Sequence, residues 1–403
     1  MDPLLLARLL FAVTAGVHFL FVVTTLGLAP ILTWKSWRNV VRPTAAGDGE
    51  LRILGRMYLV NYAVGIVTGL VMELQMAMVW TGPGAAGPWN PVATLLGLET
   101  IVAFFLESTF LGLWLVGSGV LSRRVRAVLF TLVTVTAYVS ATYVTAANSY
   151  LHFPIGDAAP TLGWGFVGRL VWRPATLTVL AHIAGAALVV GGMWAAAAGA
   201  RVMQRGGTPA VANRLMRGGV ITVAWSSVVT LLAGGLQFPF VRPTLPSQQT
   251  TPVFGALSMA LMMLAGLAIA GVALMALLPL ALRNRLVTQK TGRVWWPFLT
   301  NSVGLALLAT FLGWLYREQM RSPWFIYQRV PLDEALAPIS AAQLKAMLVV
   351  FGALTIGAAV LAWWLMRTLM HTDPPEEFAP DEALSDPIRF DHALVETTSG
   401  AVR

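Results

Sequence analysis

The sequence contains no cysteine. Iron–sulfur clusters, thiolate zinc sites, structural disulfides and covalently attached c-type haem all need cysteine sulfur, so each of them is excluded. A metal or cofactor site in this protein has to depend on other donor atoms. The redox state of the compartment is left open, because a chain without thiols gives no sign of it.

Charged side chains are also scarce. They make up 11% of the 403 residues, against roughly one quarter in soluble globular chains, whereas 57% of the residues are hydrophobic. The apolar residues form blocks of about twenty or more, the length that a helix needs to cross about 30 Å of hydrocarbon. This pattern predicts an all-α, polytopic transmembrane helix bundle and argues against a β-barrel. The nine candidate spans are about residues 9–33, 52–80, 92–117, 127–149, 175–200, 216–237, 252–282, 296–317 and 344–370.

Basic residues are concentrated in alternate loops, which predicts the topology. Clusters of arginine and lysine follow the first, third, fifth and seventh blocks, whereas residues 81–91 have none and residues 238–251 have only Arg242. The positive-inside rule then places the N-terminus outside and the C-terminus in the cytoplasm. The same rule explains the net charge of +9, so no nucleic-acid partner is expected. We expect the first block to be a retained helix, since no cleavage site follows it.

The chain divides into a bundle and a tail. Residues 1–370 predict one transmembrane domain, because no internal linker is long or polar enough to separate two bundles. Residues 371–403 change abruptly to acidic and proline-containing sequence, which predicts a disordered cytoplasmic tail. The two longer outer loops, about residues 150–174 and 318–343, contain proline, glycine and aromatic residues, and we expect short interfacial helices in them.

The few polar side chains inside the spans share one depth. With the N-terminus outside, the polar residues of the inward-running spans fall about 5–15 Å from the outer surface at 1.5 Å per residue. The others, on outward-running spans, lie near the outer ends, and only Glu107 lies nearer the middle of the bilayer. The residues at the shared level are His18, Glu73, Glu99, His182, Met259 and Glu318.

A shared depth favours a common function over unrelated accidents. A charged group costs about 2.5–3.5 kcal/mol or more at mid-bilayer, so it normally faces a partner, a water-filled cavity or a cofactor. Histidine and methionine are common axial ligands of haem. A copper or di-iron site fits less well, because adjacent His or Glu-x-x-His pairs do not occur here.

Structural explanations stay open for each residue taken singly. A lone histidine in a membrane helix can hydrogen-bond a neighbouring helix, and one methionine among sixteen can simply pack. Glu107 can be a protonated carboxyl bonded to another helix or part of a proton relay. Glu318, at a helix end, can face interfacial water.

The strings around these residues resemble a known family over essentially all nine spans. RLLFAVTAGVHF contains Arg8 and His18, and it is followed by GIVTGLVMELQMAMVW and ETIVAFFLESTF in the second and third spans. SATYVTAANSYLHFPIG ends the fourth, FGALSM begins the seventh and GWLYREQMRSPW ends the eighth. In this order and spacing they resemble subunit I of the cytochrome bd-type quinol oxidases.

The resemblance implies a role for each candidate residue. It makes His182 and Met259 the axial ligands of a low-spin haem b. It makes His18 and Glu318 the ligands of the two haems of an active-site pair, with Glu99 beside them. Glu107 and Ser140 match a proposed proton path. Further matching positions are Arg8, Glu73, Gln75, Asn148, Trp314, Arg321, Pro323 and Trp324.

The sequence departs from the family pattern at three residues and in one loop. Met320 and Ser322 stand where the family has Gly and Gln, and Leu257 stands where a basic residue is usual. The family's large outer segment, with a Lys and a Glu implicated in quinol binding, is replaced by FPFVRPTLPSQQT. The haem ligands are complete, but the usual quinol site is largely missing.

The resemblance implies a prokaryotic cytoplasmic-membrane oxidoreductase that passes electrons from the low-spin haem b to the di-haem centre, where dioxygen is reduced to water with cytoplasmic protons. The expected cofactors are low-spin and high-spin haem b, with haem d or a further haem b. The expected partners are lipid, dioxygen, quinol or another electron donor, and a second multi-span subunit, which is of the usual kind, a paralogue or a second copy. Two alternatives remain: a relative with a non-quinol donor or another small-molecule acceptor, and a haem-free proton-coupled transporter using Glu73, Glu99 and Glu107.

Overall fold

The protein is a bundle of long apolar helices. The computed structural model describes residues 2–85, 90–155, 164–241 and 253–371. Within these residues nine helical spans are long and apolar enough to cross a membrane, which confirms the predicted number, and each overlaps its predicted block, with ends that differ by up to eight residues. The helices are α1 (Pro3–Val41), α2 (Ala45–Val79), α3 (Asn90–Leu98), α4 (Phe105–Val116), α5 (Arg123–His152), α6 (Trp164–Val171), α7 (Pro174–Gln204), α8 (Pro209–Val241), α9 (Val253–Gly271), α10 (Leu278–Leu282), α11 (Gln289–Arg321), α12 (Leu332–Ala335) and α13 (Ala341–Thr368).

Two spans contain a wider turn. The π-helical segment Glu99–Phe104 joins α3 to α4, and a second one, Val272–Leu277, joins α9 to α10. Segments of this kind inside α-helices occur frequently at functional sites, because the extra residue redirects the side chains that follow. The first of them begins at Glu99, one of the predicted site residues.

Side-chain caps fix where several helices begin. Asp2 accepts from the backbone N–H of Leu4 at the start of α1, and Thr44 accepts from that of Gly47 at the start of α2. Ser340 opens α13 with a capping box, in which its hydroxyl and the side chain of Gln343 each accept from the other residue's backbone N–H. Such caps satisfy N–H groups that the helix itself leaves free, typically contributing about 1 kcal/mol each.

The core of the bundle lies around α7, which packs against α8, α1 and α11. Small residues allow the backbones to touch. A Cβ added to Gly27 of α1 would lie 1.9 Å from the carbonyl oxygen of Ala187, and one added to Gly219 of α8 would lie 2.4 Å from that of Gly192. Close approach through small residues is the usual way in which membrane helices associate, because lipid gives no hydrophobic drive.

One end of the bundle is held by buried charges. Lys35 of α1 and Arg214 of α8 both donate to Glu50 of α2, with 2.7 Å between Arg214 Nη2 and Glu50 Oε1. Lys35 and Glu50 are almost fully buried. Removing one partner of such a group leaves an uncompensated buried charge, so the ion triad fixes the mutual position of three helices. We call this the basic end.

The opposite end carries a short β-ribbon that the all-α prediction did not include. β1 (Trp324–Ile326) pairs antiparallel with β2 (Val330–Pro331), and Gln328 in the turn has a φ of 55°. The ribbon is tied to α5 by a hydrogen bond of 2.9 Å from the N–H of Tyr327 to the oxygen of Leu151. We call this the hairpin end. The short helices predicted in the two longer loops are present as α6 and α12.

Two predicted features lie outside the described residues. They are the short segment with Arg242, which replaces the family's large outer loop, and the acidic tail, of which only His371 is described. The direction in which the bundle crosses the membrane also stays a prediction.

Candidate functional site

His182 of α7 is held with one ring nitrogen bonded and the other free. Its Nδ1 lies 2.9 Å from the carbonyl oxygen of Thr230 on α8. A carbonyl only accepts, so Nδ1 carries the proton and Nε2 keeps its lone pair. Nε2 makes no hydrogen bond with any residue that the structure describes. This arrangement is typical of a metal-binding histidine, which donates its other N–H to a carbonyl or carboxylate.

Gly234 of α8 supports the ring of His182 from one side. A Cβ at this position would lie 3.0 Å from both Cε1 and Nδ1 of the imidazole. The contact is tighter than most side chains tolerate, so the helix packing leaves the ring little room to turn. The lack of a side chain at Gly234 therefore helps to fix the direction of Nε2.

His18 of α1 has a similar environment. Its Nδ1 lies 3.2 Å from Oγ1 of Thr68 on α2, and that hydroxyl is 3.0 Å from the carbonyl oxygens of Val64 and Gly65. The hydroxyl proton goes to one of these carbonyls, so the oxygen accepts from His18 Nδ1. Nε2 again makes no hydrogen bond within the described part of the chain. A Cβ at Gly69 would lie 3.0 Å from Cε1 of the ring.

Met259 lies on α9 and is partly buried, and α9 packs against α11 and α8. On the same helix Met262 turns towards Gly313, where an added Cβ would lie 2.7 Å from its sulfur. The thioether of Met259 is therefore on α9, which contacts α8, the helix that accepts the hydrogen bond from His182. Its pairing with His182 stays a prediction.

Glu318 is engaged at both oxygens near the hairpin end of α11. Its Oε2 lies 2.5 Å from Nη2 of Arg321, and its Oε1 lies 3.2 Å from Nδ2 of Asn148 on α5. Arg321 is buried and also donates to the carbonyl oxygen of Phe325 in β1. The carboxylate is thus held in one orientation, with lone pairs left over for a further ligand contact.

Two residues that sequence reasoning did not single out complete this cluster. Arg317 donates through Nε to Oδ1 of Asn148. His152 of α5 places Nδ1 2.9 Å from the oxygen of Asn148 and Nε2 3.0 Å from that of Arg317. The available signal was the presence of an arginine directly before Glu318 in an otherwise apolar span.

Aromatic and polar side chains of α1 and α11 meet beside the cluster. Nη2 of Arg8 lies 3.4 Å from Oε1 of Gln319. The ring of Trp314 packs on Phe11 and Phe311, with centroids 6.0 and 5.8 Å apart. The structure therefore brings the predicted residues Arg8, Trp314, Glu318 and Arg321 into one region.

The predicted acidic residues form two separate groups. Ser140 of α5 donates to Glu99 at 2.7 Å, and the hydroxyl of Thr100 lies 3.3 Å from both Glu99 and Glu73. The resemblance had paired Ser140 with Glu107 on one path, but the direct contact of Ser140 is with Glu99.

Glu107 is buried on α4 and accepts from the hydroxyl of Tyr58 at 3.1 Å. Tyr58 stacks on Tyr62, whose hydroxyl lies 2.9 Å from that of Ser108. Neither tyrosine was singled out from the sequence, because nothing in the local pattern of α2 distinguishes them from core aromatics.

Comparisons with known proteins identify the family of this chain. The sequence profile of cytochrome bd terminal oxidase subunit I matches residues 6–249 and 241–374. The chain belongs to this family. It is 29% identical over 198 residues to cytochrome bd ubiquinol oxidase subunit 1 of Bacillus subtilis (strain 168), covering 49% of this chain and 42% of that protein. It is 32% identical over 241 residues to cytochrome bd-II ubiquinol oxidase subunit 1 of Escherichia coli (strain K12), covering 58% and 46%.

The fold is shared with a solved relative. The bd oxidase from Geobacillus thermodenitrificans superposes with a TM-score of 0.81 and 19% identity, covering 91% of this chain and 98% of that one. The chain spans less than half the length of the two curated relatives in those alignments. Together with the nine apolar spans, membership of the family makes this a multi-pass protein of the cytoplasmic membrane.

The donor set of this family member fits haem better than a bare metal ion. No group of three or more His, Asp or Glu side chains that could hold an ion occurs among the described residues. A porphyrin supplies four nitrogens of its own and needs only one or two axial ligands. His18 and His182 each present one imidazole with Nδ1 bonded and Nε2 available, which is the arrangement that a haem iron requires from the protein.

Proposed function

We propose that this chain is the haem-bearing subunit of a membrane oxidase that reduces dioxygen to water. The proposal rests on the similar hydrogen bonding of His18 and His182. In each case an oxygen atom of a neighbouring helix accepts from Nδ1, so that Nε2 is available to bind iron. When bound, haem supplies a one-electron carrier and, where a coordination position is open, a site for a diatomic molecule. The protein's part is to hold the ligands and to control charge and protons.

We assign the ligands in two sets. His182 and Met259 hold the low-spin haem b that receives electrons. His18 and Glu318 hold the two haems of the di-haem centre, of which one is high-spin haem b and the other is haem d or a further haem b. Arg321 and Asn148 keep the carboxylate of Glu318 in place, and Arg8 and Trp314 border the same region.

The acidic residues deliver protons to the di-haem centre. Glu107, bonded to Tyr58, is the more deeply buried member, and Glu99, bonded to Ser140, lies next to Glu73. Eight residues separate Glu107 from Glu99, about 12 Å along a helix at 1.5 Å per residue. A proton therefore needs at least one intermediate carrier between them, and the N-out topology makes the cytoplasm its source.

The electron donor is quinol or another reductant. The names of the two relatives compared above specify ubiquinol, and that of a third, from Bacillus subtilis (strain 168), specifies menaquinol. Only residues 242–252 separate α8 from α9, which favours a donor site built differently from the family's large outer loop. A second multi-span subunit, of the usual kind, a paralogue or another copy, covers part of the apolar surface.

Oxygen uptake by the purified membrane complex tests the activity and the donor. We expect uptake with a one-electron artificial donor, and its loss in His18→Ala and Glu318→Ala. Each ligand variant should also remove a different band from the reduced-minus-oxidised spectrum. Turnover with quinol as sole donor decides against a quinol-independent enzyme, and a complex that binds haem without consuming oxygen contradicts the proposed reaction.

A further inference from the structure

Arg317 is a buried cation with unused donors. It lies in the last turns of α11, directly before Glu318, and its Nε lies 2.5 Å from Oδ1 of Asn148. Nη1 and Nη2 are both shielded from solvent, and neither has a hydrogen-bond partner among the residues that the structure describes. Two N–H-bearing nitrogens of the guanidinium are therefore buried without an acceptor among the described residues.

The charges around Arg317 do not balance. The nearest carboxylate, Glu318, accepts from Arg321 at Oε2 and from Asn148 at Oε1. Two arginines thus share one carboxylate, which leaves about one positive charge uncompensated. His152, the other titratable group packed here, faces the backbone oxygens of Asn148 and Arg317 and contributes no negative charge.

Such a charge is unstable unless an anion joins it. Removing one partner from a buried ion pair strongly destabilises a protein, because the remaining charge is desolvated and unpaired. The two Nη groups of a guanidinium match the two oxygens of one carboxylate, a geometry that lysine does not offer. The arrangement thus specifies a planar, bidentate anion next to Glu318.

We propose that Nη1 and Nη2 of Arg317 bind a propionate carboxylate of the haem whose iron Glu318 ligates. This inference rests on the proposed function, since it requires that haem. A propionate is the anionic group that a haem brings with it, and it would neutralise the excess charge of the cluster. Arg317 then anchors the haem and, as a nearby cation, favours its reduced state.

Redox titration of the purified complex tests this with an internal reference. Arg317→Gln removes the charge but keeps a donor that can reach Asn148. We expect the ferric–ferrous equilibrium of the Glu318 haem to move about tenfold towards the ferric form, which is about 59 mV for a one-electron couple, and its occupancy to fall. The charge of Arg317 also acts on His182, so the potential of the low-spin haem should move in the same direction but by less, and its unchanged occupancy shows that the variant is folded.

Two further variants separate charge from structure. Arg317→Lys keeps the charge, so the potential should stay within about threefold of the wild-type equilibrium, while the loss of bidentate geometry lowers haem retention. Arg169→Gln, at an exposed position on α6, serves as the matched control and should change nothing. Wild-type potentials in Arg317→Gln, or equal shifts in the Gln and Lys variants, would overturn the proposal.

The source of the carboxylate is distinguished in the same experiment. Asp157 lies outside the described residues, and Asp157→Asn should leave the potential unchanged. A free anion would make the wild-type potential depend on added acetate, whereas a propionate would not. An effect of either kind contradicts the assignment to haem. A wild-type protein without haem would contradict the proposed function itself. That outcome differs from a haem-containing protein whose potential does not respond to Arg317→Gln.

Discussion

At the scale of single residues, the ring of His182 is fixed by the glycine beneath it. A Cβ at Gly234 would press on the imidazole at 3.0 Å, whereas a Cβ at the adjacent Gly235 would meet nothing within 4 Å. We expect Gly234→Ala to displace the ring and to weaken or shift the low-spin haem band, and Gly235→Ala to leave it intact. Reduced-minus-oxidised spectra of the two variants check this, and equal spectra would contradict it.

The hydroxyl of Tyr58 is the second residue-scale feature with a testable role. It donates to Glu107 at 3.1 Å in a fully buried position. If Glu107 carries protons, Tyr58→Phe should slow oxygen uptake about tenfold, which is less than the roughly 10²–10⁴-fold contributed by a group that transfers the proton itself, while the haem spectrum stays unchanged. Thr142→Val is the control, because that hydroxyl only returns to its own helix at Tyr138. Unchanged turnover in Tyr58→Phe removes the tyrosine from the path.

The sequence predicts which residues carry the proposed site but not what holds them. His18, His182 and Glu318 stand in strings whose order and spacing identify them. The partner of His182 is a backbone carbonyl at Thr230, 48 residues away, and a carbonyl has no sequence signature. Arg317 was missed for a related reason, since its importance depends on which acceptors its Nη groups lack, and these are set by hydrogen bonds between α5 and α11 such as that from Arg317 to Asn148.

At the scale of helices, the crossing of α1 and α7 depends on small residues. A Cβ at Gly27 would lie 1.9 Å from a backbone oxygen of α7, which cannot rotate away as a side chain does. Gly27→Ala should therefore separate the helices and lower the free energy of unfolding by about 1–3 kcal/mol or more. Gly357→Ala on α13, with open space around it, is the control. Thermal unfolding of the two detergent-solubilised variants measures their stability. If Gly27→Ala is as stable as Gly357→Ala, the close contact at Gly27 does not hold the helices together.

The helices were predictable from their length and composition, whereas their irregularities were not. Blocks of about twenty apolar residues determined the nine spans. The π-helical segment at Glu99 adds no change of hydropathy, so the sequence does not show it. The ribbon of β1 and β2 is only a few residues long and depends on contacts such as Tyr327 to Leu151, which come from tertiary structure.

At the scale of the whole molecule, the absence of cysteine makes the topology directly measurable. Asp333→Cys lies at the hairpin end and Gly119→Cys towards the basic end, and both positions are exposed. With the N-terminus outside, a membrane-impermeant maleimide should label Asp333→Cys in intact cells and Gly119→Cys only after permeabilisation. The unsubstituted chain offers no thiol and is the blank. The reverse labelling pattern would invert the topology and with it the source of the protons.

The central claim is that the two histidines with free Nε2 atoms belong to a haem protein. The most direct measurement is the reduced-minus-oxidised visible spectrum of the purified wild-type protein, together with its haem content. The account predicts bands of a low-spin haem b and of a second, high-spin population, with more than one haem per chain. A colourless protein without haem bands would contradict this claim. It would favour the alternative in which the acidic residues serve a haem-free proton-coupled transporter.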